Sequence, residues 1–259
     1  MNEGSGVRDR LIVALDQPDL PRALAHVDRI GDSVLWYKVG LQLFAASGRD
    51  AVSALADRGK KIFLDLKLHD IPATVEKAVA ALQGLPVSLL TIHAAGGPVM
   101  IAAASRAARA LGGAPAGGPA AGSGASGPRV LAVTMLTSLD GSEIPALWNP
   151  ATSLEEKVLG LARLAREAGA DGVVASPQEL SALRGALAPP FLIVTPGIRG
   201  PHDPAHDQKR TLSLPEAFAR GADYVVVGRP ILEATDPNAA VAAFEASVAA
   251  ASSSERTRP

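Results

Sequence analysis

KKIFLDLKLHDIPATV, residues 60–75, starts as an apolar strand and ends as a cluster of charges. Ile62, Leu64, Leu66 and Leu68 alternate with Phe63, Asp65, Lys67 and His69, and in extended backbone the two sets project from opposite faces. The leucine face suits packing against helices. The other face sets Asp65 beside Lys67, and Asp70 follows in a loop shaped by Pro72. Such a strand fits an antiparallel sheet with one wet face. It equally fits a parallel strand whose apolar part is buried and whose C-terminal end opens into a binding site.

Outward from this stretch, short β-branched runs alternate with longer alanine-rich runs of helical period. The strand candidates are RLIVALD (10–16), VLWYKVG (34–40), KIFLDLK (61–67), VSLLTIH (87–93), RVLAVTML (129–136), DGVVAS (171–176), FLIVTP (191–196) and DYVVVG (223–228). Eight strand-helix units in 259 residues suit an α/β fold of one domain, a (β/α)8 TIM barrel over 1–259, with a doubly wound sheet as the alternative. AGADGVVAS (168–176) and RGADYVVVG (220–228) echo each other, as a repeated module would in which Gly ends a helix and Asp opens a strand. Convergent loop chemistry would give the same echo. GGAPAGGPAAGSGASGP (112–128) holds only Gly, Ala, Pro and Ser and reads as a flexible insertion between the fourth helix and fifth strand. SSSERTRP (252–259) reads as a frayed tail.

Composition narrows the class. With 47% hydrophobic residues the chain can bury a large core, and a formal net charge of −1 gives no overall pull toward nucleic acid or anionic membrane. Aromatic residues, at 3%, leave few platforms for stacking bases. The lack of cysteine excludes disulfides, thiolate metal sites and cysteine nucleophiles, and fits a cytoplasmic protein. MNEGSGVRDR does not read as a secretory leader, and no apolar run is long enough to span a bilayer. A protein acting on small molecules is the class that survives.

Asp16, Lys38, Asp65 with Lys67, His93, Thr137, Ser176, Pro196 and Gly228 with Arg229 stand at or just past the C-terminal ends of the strands. That is the end at which barrels of this kind bind ligands. A strand buried on both sides should be almost wholly apolar, so charges gathered from three neighbouring strands read as a site. Opposite signs offset much of the cost of burial, by about 4 kcal/mol per close pair at intermediate dielectric. An ammonium between carboxylates, as Lys67 would be, can donate a proton or stabilise negative charge developing on a substrate.

TPGIRGPHDPAHDQ (195–208) and VVVGRP (225–230) form a second group. Glycine lets backbone N–H groups approach an anion, and Arg199, Arg229 and Gln208 supply donors, in the loops where such barrels often hold phosphate. A long surface loop and an ordinary helix start are the competing reading. His202 and His206 are four apart, but intervening prolines deny them a helix and no metal site is read there. His69 and His93 are read as holding their neighbours in place, and His26 as a surface helix residue.

LIVALD, YKVG, FLDLKLHDIPATV, VTMLTS, VTPGIR with a downstream DQ, and VVVGR follow one another in an order that resembles the orotidine 5′-phosphate decarboxylase family. The likeness spans nearly the whole chain apart from 112–128 and the tails. It implies decarboxylation of orotidine 5′-phosphate to UMP, the last step of de novo pyrimidine synthesis, with no cofactor and no metal. It further implies that Asp16 and Lys38 bind the ribose hydroxyls, that Asp65, Lys67 and Asp70, joined by Lys38, surround the reacting carbon, and that Thr137 contacts the pyrimidine. Arg199, Gln208, Gly228 and Arg229 would hold the phosphate region, with Pro196 also binding substrate. Lys67 would stabilise and then protonate the carbanion, held by Asp65 and Asp70. The family works as a homodimer in which Asp70 and Thr74 reach the partner's site. A related sugar-phosphate decarboxylase family that needs magnesium shares the D-x-K-x-x-D spacing, but it carries a glutamate where Lys38 stands.

Overall fold

The computed structural model describes residues 6–112, 127–139, 152–200 and 212–256. All eight apolar runs are strands. β1 (Leu11–Ala14), β2 (Trp36–Gly40), β3 (Lys61–Leu68), β4 (Val87–His93), β5 (Arg129–Val133), β6 (Gly172–Val174) and β7 (Leu192–Thr195) lie side by side in parallel. Two short strands, β8 (Ile198–Arg199) and β9 (Leu212–Ser213), pair with each other outside the barrel. β10 (Tyr224–Val227) then closes the ring by pairing with both β7 and β1. That closure excludes the doubly wound alternative, which would leave two open edges.

Among the described residues the α-helices are α1 (Leu20–Ile30), α2 (Leu41–Ala56), α3 (Pro72–Ala80), α4 (Gly97–Leu111), α5 (Leu154–Glu167), α6 (Leu180–Ala186), α7 (Leu214–Ala219), the single turn α8 (Arg229–Leu232) and α9 (Pro237–Arg256). Local chemistry starts several of them. Asp19 accepts the Arg22 N–H at 2.9 Å to begin α1, whose buried stripe of Ala23, Val27 and Ile30 has helical spacing. Ser153 and Glu156 form a reciprocal capping box at α5. Among the described residues no helix is long and apolar enough to cross a membrane.

Strand alternation makes two apolar layers. Leu11, Val13, Ile62, Leu64 and Val225 join helix residues such as Val27, Val52 and Ile101 in the outer core. Ile12, Trp36, Phe63, Leu89, Leu131 and Val226 fill the barrel interior. At about 1.5–3 kcal/mol for each large aliphatic side chain taken from water, these layers hold the strand ends in register. The polar C-terminal ends are therefore carried on a rigid base.

The echoed segments have one physical explanation. Gly169 and Gly221 take positive φ, 91° and 96°, where a helix ends. The aspartate two residues on returns to the neighbouring strand: Asp171 Oδ2 accepts the Val130 N–H at 2.8 Å, and Asp223 Oδ2 accepts the Ile193 N–H at 2.7 Å. An arginine completes each corner, Arg109 donating to the Gly169 carbonyl and Arg184 to that of Gly221.

α9 runs as far as Arg256. One expectation needs amendment. The plain alternation expected through residue 69 breaks near the end of β3: Leu64 pairs with Leu90 but Leu68 with Ile92, so Asp65, Leu66 and Lys67 stand against Thr91 alone. The break is a bulge, and Lys67 there adopts φ 49°. The Gly/Ala/Pro-rich segment at 112–128 falls almost wholly outside the described residues.

Candidate active site

The C-terminal mouth of the barrel opens into a cavity of about 870 Å³. Phe63 forms part of its lining next to Asp65 and Lys67, with Asp16 from the end of β1 and Lys38 from β2 alongside. Thr137, Pro196, Arg199, Gly228 and Arg229, drawn from the loops after β5, β7 and β10, also line it.

The charged side chains form a row of alternating sign. Asp16 Oδ1 lies 2.9 Å from Lys38 Nζ, and Lys38 Nζ lies 3.6 Å from Asp65 Oδ2. The Lys67 ammonium then donates to both Asp65 oxygens, at 2.9 and 2.8 Å. Asp65 is the buried centre of the row at 8% exposed. Burial works to raise its carboxyl, but Lys38 and Lys67, with hydrogen bonds from Lys67 and Thr91, outweigh burial and hold it below the usual carboxylate range. An anion locked between two ammonium groups stays ionised at any pH near neutrality. It fixes the direction in which Lys67 points.

His69 and His93 stack at 5.3 Å between ring centroids, as neighbours of this row. Burial, then His69 and Lys67, push the His93 imidazole down, with Asp65 opposing. His93 is therefore held neutral.

Asp70 and Thr74 are not part of the cavity lining. Both are exposed, and Asp70 Oδ1 accepts the N–H of Ile71 at 2.6 Å. Gln208, with His202 and His206, lies outside the described residues. The helix after β10 is a single turn and so adds little dipole; the positive charge of Arg199 and Arg229 is the larger attraction for an anion there. His26 is half-buried in α1 rather than on its surface, and borders a second cavity of about 310 Å³ with Asp16, Gln17 and Glu233. Leu232 and Glu233, at the end of α8, face it across that cavity.

The sequence reading missed two kinds of residue. Met135, Val174, Ala175 and Val226 supply apolar wall. They look like any core residue in sequence, and only strand parity could have separated them. Thr91 is completely buried and bonds to both Lys67 and Asp65. Its one signal was a hydroxyl inside the apolar run VSLLTIH.

Known proteins share this arrangement of chain. The chain is 45% identical over 241 residues to an orotidine 5′-phosphate decarboxylase of Moorella thermoacetica, covering 93% of this chain and 92% of that one. It is 46% identical over 244 residues to the enzyme of that name from Rhodopseudomonas palustris strain TIE-1, covering 94% and 95% of the two chains. The crystal structure of orotidine 5′-phosphate decarboxylase from Lactobacillus acidophilus superposes with a TM-score of 0.78 at 39% identity, covering 93% of this chain and 99% of that one. The sequence model of the family "Orotidine 5′-phosphate decarboxylase / HUMPS family" matches residues 9–244. With a closed barrel, a charged mouth and this degree of identity over nearly its full length, the chain belongs to the orotidine 5′-phosphate decarboxylase / HUMPS family.

Proposed function

We propose that this protein converts orotidine 5′-phosphate to UMP and carbon dioxide as an enzyme of pyrimidine biosynthesis. The observation that carries the reading is the row Asp16, Lys38, Asp65, Lys67 at the barrel mouth, ending on an ammonium aimed by both oxygens of one buried carboxylate.

The chemistry asks for such a row. When the bond from carbon six of the pyrimidine to its carboxylate breaks, CO₂ leaves and the electron pair stays on carbon six. The orbital lies in the ring plane, so the ring π system cannot spread the charge. A fixed cation beside that carbon stabilises the pair as it forms, at no reorganisation cost, and this kind of preorganised contact is commonly the largest contribution to a rate. Lys67 then transfers one proton from Nζ to carbon six and recovers one from solvent. Asp65 sets its direction, and Asp16 with Lys38 binds the ribose hydroxyls. Thr137 contacts the pyrimidine. The phosphate sits near Arg199, Gly228 and Arg229, which line the cavity together with Pro196, and binding energy there favours the reacting end held in place.

The same reading makes the active form a homodimer, with Asp70 and Thr74 entering the partner's site. It is supported by their exposure in the single chain and by Leu41, Ile71 and Val99 at 60%, 67% and 68% exposed. These three stand at the starts of α2, α3 and α4, along one arc of the mouth's rim, where bare apolar surface suits a partner. A soluble nucleotide as substrate and a cysteine-free chain suit the cytoplasm.

An assay following loss of orotidylate absorbance together with CO₂ release tests the reading. Turnover that survives EDTA is expected. Strong inhibition by EDTA would favour the magnesium-dependent sugar-phosphate chemistry, and tight UMP binding without CO₂ release would mean a binding protein.

A further inference from the structure

We propose that Thr91 is a positioning residue for Lys67 and Asp65, an inference that rests on the reading of that pair given above. Three residues of β3 face Thr91 alone across the ladder to β4. A bulge of this kind strands a backbone N–H that the neighbouring strand would otherwise bond, and a buried N–H needs a partner. The Lys67 N–H finds one in Thr91 Oγ1 at 2.9 Å. The same hydroxyl uses its single proton on Asp65 Oδ1, also at 2.9 Å.

Thr91 thereby grips the catalytic lysine at both ends. It fixes the main chain from which Lys67 springs, where φ is 49°. It also fixes the carboxylate that the lysine's tip meets, since Asp65 Oδ1 accepts from both Thr91 and Lys67. A non-glycine residue in the left-handed region holds there only where its surroundings insist on it. Thr91 is 0% exposed and does not line the cavity, so it acts on substrate only through its two partners. Packing alone would be served as well by valine between Leu90 and Ile92, and an unbonded hydroxyl there would be costly. The hydroxyl is what the position requires.

Thr91→Val removes the hydroxyl and keeps a β-branched side chain. With a small misplacement of a reacting group able to cost about a hundredfold, kcat should fall by about 10- to 100-fold while KM stays within about threefold. Thr91→Ser should return kcat to within about threefold of wild type. A valine variant with wild-type kcat, or a serine variant no better than valine, would overturn the proposal. Should the valine variant fail to fold, Thr91→Ser against Thr91→Ala decides the same point, because only serine keeps the hydroxyl; equal kcat in the two would overturn it. Wild-type protein that releases no CO₂ from orotidylate would instead overturn the functional reading, and this proposal with it.

Discussion

Gly40 and Lys38 compete for one small space: a Cβ on Gly40 would stand 2.8 Å from Lys38 Nζ and 3.0 Å from Asp16 Oδ1. The Gly40 backbone, φ −93° and ψ −177°, is open to any residue, so the glycine serves the side chains beside it and not the turn. The atom in the way is the tip of a flexible lysine, which can move aside without unfolding the barrel. Gly40→Ala should therefore keep the thermal midpoint within about 2 °C while kcat/KM falls by about tenfold or more. Unchanged kcat/KM would show that Lys38 and Asp16 need no such placement.

Asp70 lies exposed and outside the cavity of its own chain. If it completes the partner's site, Lys67→Ala and Asp70→Ala variants, each inactive alone, should regain activity on mixing. Half of the sites in a hybrid dimer then carry both wild-type residues. Subunit exchange verified by mass labelling, with no recovery of turnover, would argue against a shared site.

His93 should make stability depend on pH. Burial, with His69 and Lys67, lowers its imidazole pKa in the fold, so between that lowered value and about 6.5 the unfolded chain binds more protons than the native one. Stability should fall as pH drops below about 6.5 and level off beneath the folded value. His26 is lowered too, by burial and then Arg29, and adds its own share. Urea midpoints at pH 7.5 and 5 should consequently differ less in His93→Gln than in wild type. An identical difference in both would mean that His93 is not held neutral.

The barrel was legible because strands buried on both faces must be apolar, and helices of helical period separate them. The charged row was legible for the converse reason, since Asp65 and Lys67 violate that rule at a strand's end. Neither the bulge at Lys67 nor the role of Thr91 could be read. Nothing local marks Lys67 for a left-handed backbone, and the three-against-one register depends on β4, whose pairing is a tertiary fact. Thr91 looks like any β-former until its neighbours are known. The echo of residues 168–176 at 220–228 was seen in sequence, but the arginine that completes each corner was not, because Arg109 is 60 residues from Gly169 and Arg184 is 37 residues from Gly221.

Lys67 is the residue on which the account turns, and its replacement by methionine is the most direct measurement. Methionine keeps much of the side chain's length and removes the charge and the proton. Lys67→Met should bind UMP, held by the distant phosphate contacts, yet decarboxylate orotidylate at least about a thousandfold more slowly. Turnover by a folded Lys67→Met protein at the wild-type rate would contradict it.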